Sequence, residues 1–94
     1  MDKRLKHVDA AADVQARQKF YADLRLGAVS LSEAVRIMRG LSHMTQPEFA
    51  SHRGISVQAL KQIEYGTGNP TVETLNKVVS VFGLEVGLVP KRKP

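Results

Sequence analysis

The sequence predicts an all-α domain built from short helices, and three observations carry that prediction. Ser30 with Glu33 and Thr45 with Glu48 form two S/T-x-x-E capping boxes, each marking a helix start. Between residues 31 and 82 the apolar residues recur at spacings of three and four, the period of a helix with one buried face. Gly54-Ile55-Ser56 interrupts this pattern, so that two short helices are joined by a tight turn.

Taken in order, residues 1–8 are polar and read as a frayed end. From Asp9 to Leu26 the composition favours a helix, which Gly27 ends. Its apolar stripe is imperfect: Val14, Tyr21 and Leu24 with Arg17 and Gln18 among them, and Phe20 beside it. Two readings stand open, a helix laid against the domain or a dimer or partner contact through Phe20, Tyr21 and Leu24. The next helix starts at the first capping box and buries Leu31, Ala34, Val35, Ile37, Met38 and Leu41, with Arg36 and Arg39 on or beside its polar side. Gly40 weakens its end.

The helix beginning at Thr45 buries Phe49, Ala50 and the stem of Arg53, and tolerates Pro47 in its first turn. Ser56 caps its successor, in which Leu60, Ile63 and Glu64 face inward. Val57, Gln58, Lys61 and Gln62 face outward, and Gly66 closes the helix. After the TGNP loop, Thr71 caps a last helix, TVETLNKVVSVFG, with Leu75, Val78, Val79 and Phe82 on its core face. Leu84, Val86 and Leu88 then alternate with Glu85, Gly87 and Val89, a period of two that predicts a short strand ended by Pro90. A single strand needs a partner for its backbone groups. The simplest partner is the same segment of a second copy across a two-fold axis; the alternative is an extended arm packed on its own domain. The expected organisation is therefore a largely helical extension over 1–30, a domain over 31–83, and a dimerising strand with a basic tail over 84–94.

Composition limits the function. Ninety-four residues support one modest core. Without cysteine there are no disulfides or thiolate metal sites, which suits a reducing, cytoplasmic setting. No apolar run approaches the ~20 residues needed to span a bilayer, and the basic start lacks the apolar stretch of a secretory signal. The net charge of +5 is unevenly placed: residues 1–30 carry six basic and four acidic residues, 31–90 carry five of each, and Lys91, Arg92 and Lys93 supply the rest. Basic character thus lies in the two tails, and charge alone is a weak argument for nucleic acid. No carboxylate pair, nucleophile–base set or phosphate-cradling loop points to an enzyme or a cofactor. His7, His43 and His52 lack ligand-like spacing and read as surface residues, and Met38 and Met44 read as core filler.

Two helices separated by a glycine turn form a helix-turn-helix pair. Residues 31–83 resemble the lambda-repressor-like, Cro/Xre-type helix-turn-helix family in Arg39, Met44-Thr45-Gln46, Phe49-Ala50, Gly54-Ile55-Ser56, Leu60, Ile63-Glu64, Gly66, Asn69-Pro70, Thr74-Leu75 and Gly83. His43 departs from the glycine common before the M-T-Q segment, so that a different turn is expected there. The resemblance implies a regulator that binds double-stranded DNA. It places Gln46 on a phosphate and Ser56, Val57, Gln58, Lys61 and Gln62 toward the DNA, with Thr67 and Asn69 as further backbone contacts. The amides of Gln58 and Gln62 suit an adenine edge, Val57 a thymine methyl, and Lys61 guanine or phosphate. The bland reading makes the same glutamines and Lys61 ordinary solvated residues. Arg39 and Glu64 match a structural pair. The segment over 82–91 resembles HipB-type antitoxins, which implies a dimeric repressor, with Leu84, Val86 and Leu88 at the dimer contact, and a toxin partner. A phage, plasmid or restriction-modification regulator, and an interaction module that has lost DNA binding, remain as alternatives.

Overall fold

Local chemistry sets each helix boundary in residues 10–91, the part of the chain that the computed structural model describes. Helix α1 spans Ala10–Leu26, α2 Leu31–Leu41, α3 Gln46–Arg53, α4 Val57–Tyr65 and α5 Val72–Val79, followed by a single 3-10 turn, Ser80–Phe82. Both capping boxes close. Ser30 Oγ accepts from the Glu33 N–H at 3.1 Å, and the Glu33 carboxylate accepts from the Ser30 N–H at 2.8 Å. Thr45 and Glu48 repeat the exchange at 3.3 and 2.9 Å. Thr71 caps α5 by accepting from the Thr74 N–H at 3.0 Å. These bonds satisfy donors that a helix leaves open at its first turn. Glycines 54 and 66 end α3 and α4 in the left-handed conformation, at φ +70° and +73°.

One apolar core unites the helices. Val35 and Met38 of α2, Phe49 and Ala50 of α3, Leu60 and Ile63 of α4, and Val78 and Val79 of α5 are buried against one another. Helix α1 joins this core through its C-terminal half. Phe20 is 2% exposed. Its ring lies 5.5 Å from that of Tyr21 and 6.0 Å from that of Phe82, edge-on to the latter. The Tyr21 hydroxyl donates to the Phe82 carbonyl at 2.6 Å, and the Arg17 guanidinium lies 5.2 Å over the Phe82 ring. Phe20 and Tyr21 are therefore spent inside the chain, which removes them as a free partner surface. At the other end of α1, Asp13 meets His43 at 3.0 Å. His43 holds φ +56° in the turn before α3, a left-handed position adopted without glycine.

Two expectations are corrected. The last helix does not run to residue 83 as one α-helix. It tightens at Ser80 into the 3-10 turn, and Gly83 at φ +72° reverses the chain so that the Leu84 N–H donates back to the Val79 carbonyl at 3.3 Å. The strand expected over residues 84–89 does not form: among the described residues there is no strand. The physical reason is the one that made it conspicuous, since a lone extended segment has no neighbour to build a ladder with. Leu84 instead packs on the core, and the Val86 N–H donates to the Asn76 side chain at 2.8 Å. Leu88 and Val89 project into solvent. His7 and most of the basic tails, Lys3, Arg4, Lys6, Arg92 and Lys93, lie outside the described residues, as does the frayed start expected over 1–8.

Phe20 joins α1 to the end of the last helix, so Phe20→Ala is expected to cost about 3–5 kcal/mol, the usual range for emptying a buried phenylalanine site. Urea unfolding followed by circular dichroism measures it, and a loss under about 1 kcal/mol would show that α1 is not part of the cooperative fold.

Candidate nucleic-acid interface

Helices α3 and α4 meet at the Gly54 turn, where Ile55 is half-buried in the corner and its N–H donates to the Ala50 carbonyl at 3.1 Å. What holds the pair at a defined angle is polar. Glu64, near the end of α4, is 1% exposed. Arg39 of α2 grips it in the bidentate manner, Nε to Oε2 at 2.7 Å and a terminal nitrogen to Oε1 at 3.0 Å. The other terminal nitrogen of Arg39 reaches the Met44 carbonyl at 3.4 Å, just before α3 begins. Gln46, the first residue of α3, donates its amide to Glu64 Oε1 at 3.1 Å. Arg36, one turn before Arg39, donates to the Glu64 backbone carbonyl. One buried carboxylate thus ties together α2, the start of α3 and the end of α4.

The protonation of this clamp follows from its surroundings. Burial alone would raise the pKa of Glu64. The hydrogen bonds from Arg39 and Gln46, with the charges of Arg39 and Arg36, outweigh it and hold the carboxyl below its ordinary value. The Arg39 guanidinium is raised, first by its hydrogen bond to Glu64. A charge-assisted fork of this kind is among the stronger side-chain interactions available. Arg39 and Glu64, expected as a structural pair, are in fact paired; Arg36 was expected only at the polar side of its helix. Its spacing of three from Arg39, which puts both on one face, was the available signal.

The expected DNA-facing residues fall into distinct settings. Gln58 and Lys61 stand exposed on α4, and Val57 is half-buried at its start. The Ser56 hydroxyl is occupied as the helix cap, accepting from the Ala59 N–H at 3.0 Å. Gln46 is half-buried and leaned on Glu64. Thr67 and Asn69 are exposed in the loop after α4, and the Thr67 N–H donates to the Gln62 carbonyl at 2.9 Å. Gln62 is half-buried, its side chain turned toward that loop. Of the expected dimer residues, Leu84 is half-buried, while Val86 and Leu88 are exposed.

Arg53 shows what the apolar pattern hid. The whole side chain is buried at 7% exposure, not its stem alone. Its guanidinium stacks 4.1 Å from the Phe49 ring centre, one helical turn back, and its Nε lacks a hydrogen-bond partner. Burial lowers its pKa from the ordinary arginine value. With Arg53 of α3 spent on stacking and Glu64 of α4 on the clamp, Lys61 is the exposed Lys/Arg cation of the helix pair.

Among the described residues there is no group of three His, Cys, Asp or Glu side chains placed to hold a metal ion, and no helix is long and apolar enough to cross a membrane.

Glu64→Gln is expected to destabilise the fold by about 2–4 kcal/mol near neutral pH, since it leaves the Arg39 charge without its counter-ion. The folded-state pKa of Glu64 is depressed, so the clamp contributes its full stability above the unfolded value of about 4.3 and loses it as pH falls through the lower folded value. Thermal melts of both proteins from neutral pH into that acid range are expected to converge. A difference that stays constant with pH would show that Glu64 titrates as a free carboxyl.

Searches among curated proteins and among solved structures returned no match. A family model described as helix-turn-helix matches residues 35–89, which takes in α3, the Gly54 turn, α4, α5 and most of α2. With more than half of the sequence inside that match, and the two helices held as above, the chain belongs to the helix-turn-helix family of lambda-repressor-like, Cro/Xre-type DNA-binding transcription regulators.

Proposed function

We propose that the chain is a dimeric, sequence-specific transcriptional repressor working in the cytoplasm, without enzymatic activity. The observation that carries this reading is the placement of exposed Gln58 and Lys61, with Val57, on a helix whose far end is clamped by Arg39 and Glu64. In the proposed complex α4 enters the major groove. Gln58 pairs with an adenine edge, Val57 packs on a thymine methyl and Lys61 reaches guanine or phosphate. Gln46 at the start of α3, with Ser56 and the loop residues Thr67 and Asn69, lies along the phosphates on either side. Gln62 sits between the two sets.

The reading includes a dimer because one head offers little grip. The segment from 31 to 90 carries no net charge, and few phosphates are neutralised per subunit. Two heads about 34 Å apart, on half-sites separated by one helical turn, share the work on a near-palindromic operator. Leu84, Val86 and Leu88 are the proposed pairing segment. Its support is the exposure of Leu88 and Val89, in a segment that forms no helix or strand of its own among the described residues.

A second reading makes the protein the antitoxin of a toxin–antitoxin operon. It draws on the likeness of residues 82–91 to HipB-type antitoxins, and the same exposed Leu88 and Val89 favour a protein partner. Co-purification of the endogenous chain distinguishes it: a toxin bound in stoichiometric amount supports this reading, and its absence leaves an ordinary repressor.

Gln58→Ala is expected to cost about 1–3 kcal/mol on the best duplex selected from a random library and little on random-sequence DNA. Equal losses on both would remove Gln58 as a base reader. Deleting residues 84–94 is expected to turn a dimer into a monomer in sedimentation equilibrium, and an unchanged mass would end the pairing role of this segment.

A further inference from the structure

Within that DNA-binding reading, we infer that Gln62 does not read bases. It is the positioning residue for the loop over 66–69, which brings Thr67 and Asn69 to the phosphate backbone. Four observations lead there. First, the Gln62 carbonyl is the loop's anchor, taking the N–H groups of Gly66 and Thr67, with the Thr67 hydroxyl at 3.5 Å. Second, the Gln62 side chain folds over Gly68. A Cβ added at Gly68 would lie 2.8 Å from Gln62 Oε1, 3.0 Å from its Cδ and 3.4 Å from its Cβ. The amide therefore occupies space that exists because residue 68 has no side chain. Third, Gly68 holds φ +72°, so glycine serves both the left-handed backbone and the seat of the glutamine. Fourth, Gln62 is half-buried, whereas Gln58 and Lys61, on the same helix, are exposed.

The loop is enclosed from its other side as well. A Cβ at Gly66 would meet Ser32 Oγ of α2 at 3.2 Å, and Leu31, Ser32, Ile63 and Pro70 line the cleft beside Gln62. The stretch from Gly66 to Gly68 thus lies between the start of α2 and the Gln62 side chain. A glutamine that reads adenine uses both ends of its amide at the base edge. With Oε1 turned onto Gly68, that pairing would require the side chain to leave the loop. The recognition helix is divided: Val57, Gln58 and Lys61 read, while Gln62 mounts the phosphate contacts that follow it. Glu64 does the same for Gln46 on the opposite flank.

The test uses the full-length chain with two probes, the tightest duplex recovered from a random library and a random-sequence duplex. Gln62→Ala is expected to weaken both by the same factor, about three- to tenfold, the scale of one or two lost hydrogen bonds. Gln62→Met, which still covers Gly68 but offers no amide, is expected to restore both affinities. Gly68→Ala evicts the same side chain, so the double variant with Gln62→Ala is expected to lose less than the product of the two single losses. A Gln62→Ala loss confined to the selected duplex, no loss on either, a Gln62→Met defect on the selected duplex alone, or losses that multiply would each overturn the inference. A wild-type chain that binds neither duplex would instead overturn the DNA-binding reading on which it rests.

Discussion

The bidentate bond between Arg39 and Glu64 is the constraint on which the rest of the structure depends. A carboxylate at 1% exposure is expensive to bury alone, and this one is buried only because it is fully partnered. Its partners come from three places along the chain. Arg36 and Arg39 project from α2, and Gln46 stands at the first turn of α3. Apolar packing among Val35, Phe49, Leu60 and Ile63 brings the helices together without specifying direction closely. The fork does specify it, because two parallel N–H···O bonds are satisfied over a narrow range of angles. The geometry of the helix pair thus rests on a polar device inside a small apolar core.

The same device shapes the electrostatics of the interface. Two of the four charged residues in the helix pair are withdrawn from the surface, Glu64 into the clamp and Arg53 onto the Phe49 ring. Glu48 is engaged at the Thr45 cap, and Lys61 faces outward. A head with so little free charge has no long reach toward DNA, and in the proposed function grip comes from pairing two heads. Selectivity then falls on short-range contacts, for which a rigidly mounted helix is the requirement.

Helix α1 is attached by a different kind of contact. Aromatic edges and one hydrogen bond to a main-chain carbonyl join Phe20 and Tyr21 to Phe82. That seat lies next to the turn at Gly83, where the chain leaves the last helix for the irregular segment beyond. Neither α1 nor this segment contributes a side chain to the Glu64 clamp, whose partners all come from α2 and α3.

Much was legible in the sequence because it depends on nearest neighbours. A capping box, a glycine that accepts positive φ and an apolar stripe are local statements, and Ser30, Thr45, Ser56, Thr71, Gly54 and Gly66 all sit where local chemistry requires. The pairing of Arg39 with Glu64 came through family resemblance, since residues twenty-five apart carry no local sign of contact. Other features were decided by tertiary structure alone. Phe20 faces inward because Phe82 is there to meet it, which an imperfect stripe does not reveal. The stem of Arg53 was expected inside beside Phe49, but only the fold buries the guanidinium as well. Gln62 and Gln58 are chemically identical and four residues apart, yet one lies against a glycine loop and the other faces solvent. Alternation over residues 84–89 measured how well the segment would pair, and a single chain supplies nothing to pair with. Sequence determined which helices form and where they stop, because those energies are settled within a few residues. Tertiary structure decided which polar side chains stay free to meet a ligand, because that depends on what the fold brings alongside each of them.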